Sequence, residues 1–495
     1  MNLAHIIDDH DAQHVALISR SRPTTYGALR EQVAHLRGGL VELGVQRGDR
    51  VVLLCGNGRH FVIGYLATLG LGAVVVPLNP TSPAPEVQRE IARIGARVAI
   101  VEPVAAAAWN AIAPATIPTV EHVVATESGS IPGAVDLAVL LSSPQADLVE
   151  VEPDTLAALM FTSGTAGAPR AAMLTHGNLL ANLEQGGTAV SRIEPGDVVY
   201  GVLPLFHIFG LNVVLGLSLL RGATVVLVQR FDPSTALDTI RERKVTVLPG
   251  APPLWLAFSH FDDAPADSFA DVRLALTGAA RMPEEAMRRL EERFGLEIRE
   301  GYGLTEAAPV VTSSAGMPPR YGSVGKVLDG IEVRLVDESG DDVVLGDAGE
   351  IWVKGPNVFQ GTGTIPTRPT RCSPPTDGCA PATSAPSTTT ATCTSSTAKD
   401  LIIVSGFNVY PAEVEEVLAE HPGVAEVGVV GVPHPHHGEA VKAFVVPEPG
   451  ALVDEDQLID WACDRLARYK CPTKVLFVDE LPRNVSGKLV RRSLV

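Results

Sequence analysis

Three short stretches of this 495-residue chain carry residue types that suit phosphate chemistry. The first is Phe161-Thr-Ser-Gly-Thr-Ala-Gly-Ala-Pro-Arg170, followed by Ala-Ala-Met-Leu-Thr175-His176 and an apolar helix. Gly164 and Gly167 let backbone amides approach an anion, while Thr162, Ser163 and Thr165 add hydroxyl donors, so the loop suits a polyphosphate. It departs from the Walker A pattern, because Pro169 stands where the second glycine belongs and the Lys-Ser/Thr pair is missing. The second stretch is Glu300-Gly-Tyr302-Gly303-Leu-Thr305-Glu306, preceded by Leu276-Thr-Gly278-Ala279-Ala280. A tyrosine ring can stack on a purine, small residues leave room for its edge, and Glu306 beside Thr305 can hold Mg²⁺ against a phosphate. The third is Pro482-Arg-Asn-Val-Ser-Gly487-Lys488, a lysine on a turn near the carboxyl end. Taken singly, each also fits something plainer: a polar turn, a helix start and a solvated lysine.

The elements that must hold these residues follow from periodicity. Arg50 to Cys55, Ala73 to Pro77 and Val98 to Val101 read as strands, with helices from Phe61 to Gly70 and on the Val87, Ile91, Ile94 face between them. The order recurs with strands Val198 to Leu203, Ala223 to Val228, Val245 to Leu248 and Leu274 to Leu276, and with helices from Ile208 and over Pro233 to Arg243. The fold class is therefore α/β, with a large amino-terminal domain of two doubly wound β-α-β layers. From Ile331 the pattern shifts to short strands, Ile331 to Val336 and Glu350 to Lys354, which predicts a small antiparallel or β-barrel-like unit. After Lys399 come strand Leu401 to Val404, a helix opened by Pro411, strands Val424 to Val430 and Val441 to Val446, a helix capped by Asp454, and strand Lys474 to Val478. That predicts a smaller α+β carboxyl-terminal domain, with domains at 1–398 and 399–495.

Composition narrows the partners. Lys+Arg total 39 against 57 Asp+Glu, and the formal charge of −18 disfavours nucleic acid and anionic membranes. Val198 to Leu220 is long enough to span a bilayer, yet it contains Pro204, His207, Asn212 and three glycines, so a buried strand and helix fit better. Asp8, Asp9 and Asp11 interrupt any secretory core near the amino terminus, and we expect a cytoplasmic protein without a transmembrane span. Six cysteines make no disulfide framework; Cys463 and Cys471 read as packing residues, and His434, His436 and His437 as a surface loop.

The three stretches, in this order, resemble the adenylate-forming superfamily of acyl-CoA synthetases, aryl-CoA ligases, luciferases and peptide-synthetase adenylation domains. The resemblance runs from about Thr24 to the end. It implies ATP, Mg²⁺, CoA and a carboxylic, fatty-acid-like substrate, with an acyl adenylate formed first and a thioester second. It also implies that Thr162, Ser163, Gly164, Thr165, Gly167 and Arg170 meet the β- and γ-phosphates. Gly278, Ala279, Ala280, Tyr302 and Gly303 would flank the nucleotide, Thr305 would meet the α-phosphate, and Glu306 would bind Mg²⁺. Lys488 would contact the carboxylate and α-phosphate during adenylation. Lys399-Asp-Leu-Ile-Ile-Val-Ser-Gly406 resembles the hinge, with Lys399 as pivot and Gly406 lining the pantetheine tunnel after rotation. His207, in Leu203-Pro-Leu-Phe-His-Ile-Phe, would lie between acyl pocket and nucleotide, and Gly322-Ser-Val-Gly325-Lys326 resembles a pocket-side loop. With no carrier domain after Val495, a peptide-synthetase module is disfavoured. Acyl chain length and oligomeric state are not legible.

Departures from the family pattern are mild in the phosphate loop, where Arg170-Ala171 stands for Lys-Gly and Ala166 for Thr. They are severe from Thr362 to Ala398, which holds twelve Thr, five Ser and six Pro with Ile365 as its only large apolar residue, a disorder-prone composition. There the family places a ribose-binding Asp in Arg-Thr-Gly-Asp and an Arg before the hinge, and neither is present. The genetic code suggests why. With permitted codons, Gly378 to Ser384 shifted by one base reads Met-Arg-Thr-Gly-Asp-Ile, and Thr389 to Ala398 reads Asp-Gly-Tyr-Leu-Tyr-Ile-Val-Asp-Arg. A pair of compensating frameshifts, or a sequencing error, accounts for both recoveries; a natural Thr/Pro linker is the alternative. The reading from sequence is thus an acyl-CoA synthetase impaired by 362–398, or else a catalytically inactive acyl- or nucleotide-binding relic.

Overall fold

The computed structural model describes residues 1–162, 170–187, 193–318, 320–337, 339, 341–343, 349–361, 401–434, 438–483, 489, 491 and 494. The first α/β layer is a seven-stranded sheet. Its strand order is Val135–Asp136, His122–Ala125, Val98–Val101, Arg50–Leu54, Val74–Pro77, Leu156–Thr162, Arg170–Thr175, and only the last pairing is antiparallel. Successive strand side chains point to opposite faces, and both faces are covered. Val51, Leu53 and Val75 join the core around helix Arg59–Gly70, while Val52, Leu54 and Val76 pack on Val87, Ile91 and Ile94 of helix Ala84–Ile94. This explains why the strands read as unbroken apolar runs. Full burial of those three helix side chains stabilises by about 1.5–3 kcal/mol each, and Gly95, at φ 60°, ends the helix in the left-handed conformation.

The second layer is a nine-stranded sheet. Its six inner strands, Ile298–Gly303, Leu274–Thr277, Val247–Gly250, Val198–Gly201, Thr224–Leu227 and Val15–Ser19, are parallel. Antiparallel strands Val310–Ser313 and Lys326–Val327 extend one edge, and Arg22–Thr25 forms the other. The pairing of Val15–Ser19 into this sheet was not legible, because a four- or five-residue strand near the terminus has no neighbour in sequence to announce it. Helix Tyr26–Glu42 was missed likewise, although Leu29, Val33, Leu36 and Leu40 recur on one buried face. Val198 to Leu220 forms a strand followed by a π-helical stretch, Phe209–Gly216, and helix Leu217–Arg221; no described helix is long and apolar enough to cross a membrane.

Of the two forms expected near residue 331, the described residues show the antiparallel one, Glu332–Val336 paired with Glu350–Lys354. From residue 401 a separate five-stranded sheet forms, with Phe407–Val409, Ile402–Val404, Gly438–Pro447 and Val424–His434 in order and Lys474–Phe477 alongside Gly438–Pro447. Helices Pro411–Ala419 and Glu455–Cys463 cover it, and the Asp454 side chain accepts from Gln457 N at 2.8 Å as the sequence predicted. Cys471 is buried within this unit, and burial raises its thiol well above the ordinary range. The stretch 362–400, with its expected disorder, and His436 and His437 lie outside the described residues.

Candidate functional site

The parallel strands of the second sheet all end on one side, and in open α/β sheets ligands bind beyond the carboxyl ends of strands. Here those ends are Gly250-Ala251, Thr277-Gly278-Ala279 and Gly301-Tyr302-Gly303. Beyond them opens a cleft. It is lined by His207, Gly278, Ala279, Tyr302, Gly303, Thr305 and Gly406, seven residues singled out from sequence, together with Ile208, Phe209, Leu276 and Asn408. The small residues are required by space. A Cβ on Gly303 would lie 2.2 Å from Pro309 O, and one on Gly278 would lie 3.3 Å from the Phe209 ring. Ala279 adopts φ 70°, which turns the chain away from the strand axis at the cleft's edge.

The loop carrying Thr305 and Glu306 is fixed by buried amides that the sequence reading missed. Asn182 donates to Val310 O at 2.8 Å and accepts from Val310 N at 3.1 Å. Asn212 donates to Ala308 O and Asn357 to Ala307 O, each at 2.7 Å. The available signal was an asparagine inside an apolar window, as in Gly-Leu-Asn212-Val-Val, since such a residue must find partners when buried. Removing the Asn182 side chain leaves the Val310 backbone unpaired, so Asn182→Ala is expected to cost about 1–3 kcal/mol, read as a lower urea midpoint at unchanged slope.

Glu306 is half-buried beside this loop, and burial raises its carboxyl above the usual range. No ion pair to it is found among the described residues. A desolvated carboxylate without a cation suits a divalent metal, which would supply the missing charge. Thr162 ends its strand with Oγ1 donating to Arg170 O at 3.4 Å, and the two residues are cross-strand partners with Arg170 exposed. Neither lines the cleft, and nor do Ala280 and Glu306. Ser163, Gly164, Thr165, Gly167, Lys399 and Lys488 lie outside the described residues. The Gly322–Lys326 loop backs the cleft instead of lining it: Thr312, a lining residue, donates to Val324 O at 2.7 Å.

His207 lines the cleft. Its Nδ1 accepts from Phe209 N at 3.3 Å, and Asn57 pins the preceding turn by donating to Leu203 O at 2.9 Å and accepting from Leu205 N at 3.0 Å. Burial lowers His207, His60 and His176 to about 4 each, so all three are neutral at pH 7. A folded pKa below the unfolded value means that stability is full above about 6.5 and falls as pH drops toward 4. Unfolding at pH 5 is therefore expected to take up about three protons from these groups, measurable from the pH dependence of the denaturation midpoint.

Gly406 and Asn408 reach the cleft from the carboxyl-terminal sheet. Gly406, at φ 86°, packs so closely that a Cβ would lie 3.2 Å from Ala251 Cβ and 3.4 Å from Ala279 Cβ. The adjoining Phe407 ring stacks on Phe206 at 6.2 Å and on Tyr469 at 4.5 Å, and meets His207 edge-on at 5.9 Å.

Residues 6–362 match the family described as AMP-binding enzyme, and residues 413–488 match the AMP-binding enzyme C-terminal domain. The chain belongs to the AMP-binding, adenylate-forming enzyme family. It is 36% identical over 476 residues to a feruloyl-CoA synthase of an Amycolatopsis species, covering 94% of this chain and 92% of that protein. It is 31% identical to a long-chain-fatty-acid–CoA ligase of Bacillus subtilis, covering 91% and 86%. A double mutant of o-succinylbenzoate CoA synthetase from Bacillus subtilis, bound with its product analogue, superposes with a TM-score of 0.80 at 25% identity, covering 100% and 98%. ATP-bound MatB from Rhodopseudomonas palustris gives 0.68 at 29%, with the same coverage. The chain is accordingly an enzyme of the AMP-forming acid–thiol ligase kind. As an AMP-binding enzyme it uses ATP, and its cleft has a glycine-lined edge beside Tyr302 and an apolar end formed by Phe209, Val213 and Leu276.

Proposed function

We propose that this AMP-binding enzyme activates an elongated, apolar carboxylic acid with ATP and Mg²⁺ and transfers the acyl group to CoA. The carboxylate oxygen attacks the α-phosphorus, the bond to pyrophosphate breaks, and an acyl adenylate remains. The CoA sulfur then attacks the acyl carbonyl, the thiol proton departs, and AMP leaves with the bonding pair. One observation carries the reading: a single cleft is lined both by the carboxyl ends of the second sheet and by Gly406 and Asn408 from beyond residue 401. Two steps at one carbonyl need such a shared wall.

In this reading Thr162, Ser163, Gly164, Thr165, Gly167 and Arg170 hold the outer phosphates, and Gly278, Ala279, Ala280, Tyr302 and Gly303 flank the nucleotide. Thr305 meets the α-phosphate, and Lys488 meets the carboxylate and α-phosphate. Glu306 would hold Mg²⁺, which would supply charge neutralisation. The chain divides into units 1–398 and 399–495 with Lys399 as pivot, and Gly406 lines the thiol path. His207, neutral at pH 7, adds no charge beside a reacting carboxylate. We place the enzyme in the cytoplasm, where ATP and CoA are available.

The acid class rests on a second, apolar cavity lined by Leu183, Leu217, Leu274 and Leu328. It shares Val213, Leu276, Val310 and Ser313 with the cleft. An apolar tail or ring can continue into it. The relatives that act on feruloyl and long-chain fatty acyl groups support the same class. Incubation with ATP, Mg²⁺, CoA and a panel of hydroxycinnamic and graded fatty acids, followed by AMP and thioester release, tests it. Preference for short polar acids would sink it.

A further inference from the structure

Away from the cleft, four ionisable side chains meet in a buried cluster where the carboxyl-terminal unit rests on the first α/β layer. Lys470 Nζ donates to Glu86 Oε1 and to Glu413 Oε1, each at 2.6 Å. Glu86 Oε2 accepts from Ala467 N at 2.5 Å, and Arg89 donates to Arg465 O at 3.1 Å. Glu86, Glu90, Glu413 and Lys470 are all 7% exposed or less. Burial alone would lower the Lys470 ammonium, but Glu86 and the neighbouring carboxylates outweigh it and raise the group well above its ordinary value.

The two ion pairs differ in kind. Glu413 sits on helix Pro411–Ala419 and Lys470 four residues after Leu466, and Val414, Val417 and Leu466 share the carboxyl-terminal core, so the two travel together. Glu86 and Arg89 belong to helix Ala84–Ile94, which packs on the first sheet. Any rotation of the carboxyl-terminal unit therefore keeps Lys470 with Glu413 and strips it from Glu86. The residue before Lys470 is Tyr469, whose ring stacks on Phe407, and Phe407 abuts His207 beside Gly406 in the cleft. The seating of residues 465–470 on Glu86 and Arg89 thus fixes where Gly406 stands.

We infer that Glu86 and Lys470 form a latch that positions the carboxyl-terminal unit for acyl transfer to CoA and has no part in adenylate formation. Both act as positioning residues, since neither lines the cleft. The latch rests on the proposed two-step reaction, and the test separates the two ideas. Glu86→Ala is compared with the unaltered chain in three measurements: pyrophosphate release without CoA, thioester formation from a supplied acyl adenylate plus CoA, and hydrogen exchange of the 465–471 amides. The latch predicts faster exchange and transfer slowed about tenfold or more, with pyrophosphate release unchanged or faster. Arg89→Ala, which leaves the buried carboxylates in place, should show the same pattern with a smaller effect, and it serves if Glu86→Ala does not fold. Unchanged transfer in either folded variant, or unchanged amide exchange, overturns the latch. If the unaltered chain makes no thioester from the adenylate, the CoA step itself fails, and amide exchange alone still decides whether Glu86 seats this segment.

Discussion

A chain whose residues 378–398 are rewritten in the shifted frame, so that Arg-Thr-Gly-Asp and the later Asp-Arg return, is expected to form adenylate about 10²- to 10⁴-fold faster than the present chain. The magnitude follows from the ribose-binding carboxylate that the resemblance calls for. Two charge-assisted hydrogen bonds to ribose hydroxyls contribute about 1.5–3 kcal/mol each, and an arginine before the pivot adds compensation for phosphate charge. The present stretch offers only Asp377, between Thr376 and Gly378 in sequence, and Thr397-Ala398 where the arginine would stand. Carboxylate-dependent pyrophosphate exchange measures the difference. Equal exchange by the two chains would mean that other residues grip the ribose, and exchange by neither would favour the inactive relic. Sequencing the gene across this stretch tests the frameshift separately from its consequences.

Gly406→Leu is expected to separate the half-reactions. At φ 86° a leucine backbone is strained, and its side chain would push into Ala251 and Ala279, which approach within 3.4 Å of the missing Cβ. The carboxyl-terminal unit would then seat imperfectly, and a misplacement near 1 Å costs about 10²-fold in rate. Thioester formation from a supplied adenylate should fall by that order, while pyrophosphate release without CoA should stay near its starting rate. A parallel loss of both activities would argue against Gly406 as part of the thiol path. Glu86→Ala differs in mechanism, since it weakens the same seating without adding bulk to the cleft.

Local pattern was enough to read much of the architecture. The Val/Ile/Leu runs at 50–101 and 198–276 announced parallel strands buried on both faces, and Pro411 and Asp454 marked helix starts that the structure retains. Tyr302 and Glu306 stood out because their side chains carry chemistry that can be named from residue type and neighbours, whereas His207 and the part of Thr305 came only from the family resemblance. Gly278, Gly303 and Gly406 were visible only as members of motifs; their necessity is a matter of atoms from distant strands, such as Pro309 O at 2.2 Å from the absent Cβ of Gly303.

Other features had no local trace. Asn182, Asn212 and Asn357 are ordinary residues in sequence, yet their amides converge on one loop from three separate segments. Glu86 and Lys470 are 384 residues apart and become a buried pair only when two units meet. The chain's order declares which segments are apolar, which turn, and which carry nucleophile-binding or phosphate-binding groups, because those properties depend on neighbours a few residues away. Which strands share a sheet, which amides brace the Thr305 loop, and where Gly406 comes to rest depend on contacts across hundreds of residues, and only packing in three dimensions can choose among them.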